Sequence, residues 1–101
     1  MGDRASVSFK KGNEESVALF SHWGGMPFVQ TAITYATRLK DNKVGEVKPL
    51  DRLEPATVMV DFIRHLTRDM ARVDSDLYLG KDANDGDNSD NGHHVIDFDT
   101  L

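Results

Sequence analysis

Between Arg4 and Lys10 polar and apolar side chains alternate, so that Ala5, Val7 and Phe9 share one face, the period-2 pattern of a half-buried strand. Lys11-Gly12-Asn13-Glu14 is a turn signal. Ser16 to His22 then reads as the hairpin partner, and its Val17, Ala18, Leu19 and Phe20 are apolar on both faces, which predicts a more central strand than the first. Trp23-Gly24-Gly25 ends that pattern. Pro27 suits the first turn of a helix, where its missing N–H would be unpaired in any case. From Phe28 onward Val29, Ala32, Ile33, Ala36 and Leu39 recur at helical spacing to about Lys40 or Asp41, and Asn42 to Leu53 follows as a charged connector. A second helix carries the stripe Met59, Phe62, Ile63, Leu66, Met70 and Val73, with Pro55 near its start. Asp76 to Gly80 and His94 to Phe98 read as two last strands, joined by the polar run from Lys81 to His94.

Two hairpins flanking two adjacent helices bury both helical stripes when the helices lie on one face of a shared sheet. The pattern therefore predicts an α+β two-layer sandwich of order ββααββ, with a four-stranded antiparallel sheet and two helices on one face. With 101 residues and 39% hydrophobic content, one domain spanning 1–101, its core about 4–99 and its acidic loop 81–92, is expected. Strand order and oligomeric state are not legible in the pattern. No apolar run approaches the roughly 20 residues of a membrane span, and Met1 to Lys11 lacks the pattern of a signal peptide, so a cytoplasmic protein without membrane association is expected. The absence of Cys excludes disulfides, thiolate nucleophiles and Cys-type zinc sites.

Charge changes the picture more than composition does. Residues 1–73 carry 11 basic and 9 acidic side chains, whereas 74–101 carry 1 basic and 8 acidic. Phosphate binding relies on Lys and Arg, so this balance argues against a nucleic-acid partner and favours cations or a basic protein surface. The ridge of Arg64, Arg68 and Arg72 on the second helix is interrupted by Asp61 and Asp69, as on a solvated helix face.

The run KDANDGDNSDNGHH concentrates oxygen ligands, and Asp87-Asn88-Ser89-Asp90-Asn91-Gly92 matches the opening half of a calcium loop. The closing half departs from that motif, because Phe98 occupies the position of the bidentate Glu. What remains is a looser candidate divalent-cation site formed by Asp87, Asn91 and Asp97. The alternative is a solvated loop whose Asn and Asp side chains accept from local backbone, with Asp85-Gly86 and Asn91-Gly92 as tight bends. Two carboxylates ~7 Å apart in water repel by only about 0.6 kcal/mol, so such a loop needs no metal.

Ser21-His22-Trp23-Gly24-Gly25 lies where a strand meets the first helix, and a helix start offers unpaired N–H groups. Neither Gly25 nor Met26 supplies a capping side chain, so a carboxylate of the acidic run is a candidate to dock there. Adjacent His93 and His94 point to opposite faces of a strand and would not chelate together. His65, four residues after Asp61, suits a surface ion pair. No nucleophilic triad is evident.

The segments LFSHWGG, LEPATVMVDFIRHL and YLGKDANDGDNSDNGHHVIDFD together resemble small uncharacterised single-domain proteins of archaea, bacteria and their phages. The resemblance spans about Ser6 to Asp99 and implies no activity. It directs attention to His22, Trp23, Gly24 and Gly25 and to the run from Asp87 to His93 as one surface. The expected function is that of a non-enzymatic binding or accessory domain using His22, Trp23, Gly24, Gly25, Asn88 and His93, with a protein or small-ligand partner. The rival is a small metal- or His-dependent hydrolase built on His22 and a loop carboxylate.

Overall fold

The computed structural model describes residues 2–41, 53–72 and 76–101. Its elements are β1 (Ala5–Lys11), β2 (Glu14–Glu15), β3 (Ala18–Ser21), α1 (Gly25–Lys40), α2 (Pro55–Leu66), β4 (Leu77–Gly80) and β5 (His93–Asp97). The expected α+β architecture is present, with both helices packed on one face of the sheet. Most of the expected connector, residues 42–52, and Val73 of the second helical stripe lie outside the described residues.

The sheet has five strands because the second hairpin arm is broken. Lys10 opposes Glu15 but Val7 opposes Leu19, so the second arm holds one more residue than the first between these pairs, a β-bulge. Ser16 sits at the bulge. Its N–H donates to the Phe9 carbonyl at 2.8 Å, and its Oγ accepts the Phe9 N–H at 3.0 Å, replacing a ladder carbonyl. The extra residue turns Val17 outward, 45% exposed, and leaves Leu19 and Phe20 buried on opposite faces.

The last two strands do not form a hairpin with each other. β4 pairs with β3 antiparallel, while β5 pairs with β1 parallel, from Ser6↔His93 to Lys10↔Asp97. The sheet therefore runs β5, β1, the β2/β3 arm, β4, and residues 81–92 carry the chain from one edge to the other. Crossing three strand spacings takes about 15 Å, well within reach of that run, and a parallel connection needs a crossover of about a dozen residues. The crossover passes over the face opposite the helices. Consequently β1 is buried on both sides, Ser6 and Ser8 as fully as Val7 and Phe9.

On the helix side, Phe9 is the centre of the core. Its ring meets Phe62 at 5.4 Å and Tyr35 at 6.0 Å edge-on, and stacks on Phe98 at 6.1 Å. α1 adds Val29, Ala32, Ala36 and Leu39, and α2 adds Val58 and Met59. α2 ends earlier than its apolar stripe, at Thr67, whose N–H and Oγ1 both donate to the Ile63 carbonyl. The Arg68 guanidinium donates to the His65 carbonyl, which a further turn would have used, and Met70 is left 44% exposed. No described helix is long and apolar enough to cross a membrane.

Candidate functional site

The HWGG turn is held by its own chain. The His22 N–H donates to the Asp76 carbonyl at 3.1 Å and the Trp23 N–H to Asp76 Oδ1 at 2.6 Å. Gly24 N–H is taken by Ser21 Oγ and Gly25 N–H by the Asp3 carbonyl. Gly25 has φ +56, and a Cβ there would collide with the Asp3 carboxylate. The Asp3 carbonyl, the Asp76 carbonyl and carboxylate and the Ser21 hydroxyl thus occupy the donors that the sequence offers to the acidic run. Trp23 faces outward on this braced turn, 58% exposed, with its ring edge-on to His22 at 4.4 Å and the 40% exposed Met26 two residues into α1.

Turn and run are nevertheless joined, through the residues that precede β1. Asn91 Nδ2 donates to Asp3 Oδ1 at 2.6 Å and to the Arg4 carbonyl at 3.0 Å, and Asp3 N–H donates to the His22 carbonyl. Arg4 reaches across the run, with Nε 3.1 Å from Asp87 and Nη1 3.5 Å from Asp90. Within the run the carboxylates accept from nearby backbone: Asp82 from Asn84, Asp85 from Lys81, Asp87 from Ser89. The bonds from the Ser89 backbone and hydroxyl, then the charges of Arg4 and His22, hold the Asp87 carboxyl below its ordinary range. His22 is thus near enough to act electrostatically on Asp87, but no hydrogen bond or ion pair joins them among the described residues.

The three residues of the candidate cation site are not brought together. Asp87 pairs with Arg4 and Asp97 with Lys10, at 3.7 Å, and these partners stand six residues apart on and just before β1, a span of about 20 Å. Asn91 turns its amide nitrogen to Asp3. Among the described residues no group of three or more His, Asp or Glu side chains could hold a metal ion. The Asx-turn pattern of a loop that satisfies its own backbone describes the run better.

Asn88 and His93 meet on the crossover side of the sheet. Asn88 Nδ2 donates to Ser6 Oγ at 2.9 Å, Ser6 Oγ lies 2.7 Å from His93 Nδ1, His93 Nε2 lies 3.1 Å from Ser8 Oγ, and Ser8 donates to Glu15 Oε2 at 2.8 Å. Burial, offset by the nearby Glu15 and reinforced by His94, lowers the His93 imidazole below its ordinary value. This grouping of Ser, His and Glu is not a hydrolytic triad. The carboxylate does not orient Nδ1, both ring nitrogens end on serines, and both hydroxyls are buried. His94 faces the other way, with Nε2 2.8 Å from the Asn91 carbonyl, and His65 packs its ring against Tyr35 at 5.4 Å.

Compared with known proteins, the chain matches no family model, no curated protein and no solved structure.

Several residues that shape this region were not singled out from the sequence: Asp3, Arg4, Ser6, Ser8, Glu15 and Asp76. The alternation in Arg4-Ala5-Ser6-Val7-Ser8 marks a polar face, and a polar face without Lys or Glu at its middle positions was the one available sign that it is covered.

Proposed function

We propose that this domain is a non-enzymatic binding module, with a surface formed by Trp23 and the HWGG turn beside the acidic crossover, for a protein partner that presents apolar groups among basic ones. The observation that carries this reading is Trp23, more than half exposed on a turn whose backbone is fixed by Asp76, Asp3 and Ser21. A large aromatic held in place at the surface loses little entropy on binding, and Trp leads the residue types that dominate interfaces. Asp87 and Asp90 lie on the same side through Arg4 and Asn91, and supply the negative field that would steer a basic partner.

The test is comparative capture with the full chain from its native host. Proteins retained by the wild type and by Val60→Ala, which alters an exposed side chain on α2 (68% exposed), should be lost with Trp23→Ala and weakened when Asp87 and Asp90 both become Asn. A hot-spot loss of about 2 kcal/mol or more, roughly thirtyfold in affinity, is expected for the Trp change. An identical set captured by the wild type and Trp23→Ala overturns the reading.

A further inference from the structure

Beneath the crossover, the hydrogen-bond chain from Asn88 to Glu15 has one direction. Asn88 Nδ2 donates to the Ala83 carbonyl at 3.0 Å as well as to Ser6 Oγ. A carbonyl only accepts, which fixes the orientation of the amide. Ser6 therefore sends its own proton to His93 Nδ1, the neutral ring carries its proton on Nε2, and that N–H donates to Ser8, whose proton goes to Glu15. Ser6 and Ser8 are 0% and 1% exposed, so water does not stand in for a missing partner. Among the described residues every buried side-chain nitrogen and oxygen is paired.

We propose that protonation of His93 is a built-in release for the acidic crossover, reversing the chain at Ser6 and breaking the Asn88–Ala83 bond that folds residues 83–88 onto the sheet. When Nδ1 gains a proton it becomes a donor aimed at Ser6 Oγ. The Ser6 proton then has no acceptor, because Asn88 presents only its NH2 group. The amide must turn over to offer Oδ1, and in turning it gives up Ala83. The other arm does not change, since Nε2–H donates to Ser8 and Ser8 donates to Glu15 in both states. The consequence of protonation thus falls entirely on the crossover.

The groups around the ring set the balance. Glu15 on β2, 3.9 Å from Nε2, favours the cation. Burial beneath the crossover and His94 on β5 oppose it. The Lys10–Asp97 pair lies further along the same face, and Arg4 with Asp87 and Asp90 lies beyond the other end. What the released segment would uncover is apolar. Gly86 sits directly on the stacked rings of Phe20 and Tyr78, 5.0 Å apart, and Asp87 N–H donates to the Tyr78 hydroxyl.

The experiment is a titration of the full chain from about pH 7.5 to about pH 5, across the ordinary histidine range, read by NMR of the His93 ring, the Asn88 side-chain amide and backbone hydrogen exchange. At the upper pH the ring should be the Nε2–H tautomer. On acidification the Asn88 amide signals should move with the midpoint of His93. Exchange over 83–88, corrected for intrinsic rate, should rise about tenfold relative to β1, as for the loss of one net hydrogen bond. His93→Gln should abolish that response. A response that persists in His93→Gln, that follows His22, His94 or a carboxylate near pH 4, or that is absent while His93 titrates, overturns the proposal. Should His93→Gln fail to fold, Asn88→Asp tests the same bond, because its carboxylate can accept from Ser6 but cannot donate to Ala83. It should loosen 83–88 at pH near 7.5 and raise the His93 midpoint, and the absence of both changes overturns the proposal.

Discussion

Gly25 adopts φ +56 with the Asp3 carboxylate where a Cβ would stand. Gly25→Ala adds both left-handed strain and a collision, and should lower stability by about 1–3 kcal/mol in urea unfolding. Ser16→Ala removes the hydroxyl that accepts the buried Phe9 N–H, with an expected loss of about 1–3 kcal/mol by the same measurement. Tyr35 joins the helices by donating to Asp61 at 2.6 Å, and burial, then the Asp61 carboxylate, push its phenol well above the usual tyrosine value. A group whose folded pKa is raised lends stability below its unfolded pKa and loses it as pH rises. Stability should therefore decline above about pH 10. Tyr35→Phe should remove that alkaline decline and cost about 1.5–3 kcal/mol near neutrality, the range for a hydrogen bond to a charged group. For His93 the sign is opposite. Its lowered pKa means that its contribution is full above about pH 6.5 and fades as pH falls below that. None of these contacts was legible in the sequence. Tyr35 was outside the stripe read for α1, and Ser6 and Ser8 looked like the wet side of a strand, because burial of a hydroxyl depends on what later covers it.

Helices and strand existence were legible because their signals are local. The 3.6 periodicity of α1 and α2 and the period-2 alternation of β1 each require only neighbouring residues. Pairing was not. The 81–92 run is long enough for a wide hairpin or for a crossover, and its polarity suits both. What decides is the need of β1 for a second edge partner, together with the need of Phe20 and Ser6 for cover on the face away from the helices. The bulge at Ser16 was also invisible, since an extra residue in one arm appears only when both arms are aligned. The crossover rests on Gly86, where a Cβ would come within 2.8 Å of both the Phe20 and Tyr78 rings. Gly86→Ala should cost about 1–3 kcal/mol through overpacking, with faster hydrogen exchange concentrated in residues 81–92 rather than in β1 or the helices.

Across the whole molecule, residues 81–92 of the acidic third become a strap over the back of the sheet, leaving β4 at one end and tied to Arg4 at the other, where the chain enters β5. Its carboxylates are spread along that path and are already accepting from backbone or from Arg4. Millimolar calcium, magnesium, manganese or zinc should therefore not shift Asp87, Asn91 and Asp97 together with a single saturating midpoint in an amide NMR titration. The helices, the hydrophobic side of β1, the breaks at the glycines and prolines and the separation of charge follow from the order of residues alone, because each depends on chemistry within a few residues. That β5 runs parallel to β1, that Asp3 and Asp76 rather than the acidic run satisfy the HWGG turn, and that two serines are sealed beneath the crossover against a half-buried histidine emerge only in the folded molecule. Those outcomes depend on which distant groups compete for the same donors and the same face, a competition that exists only once the chain has closed on itself.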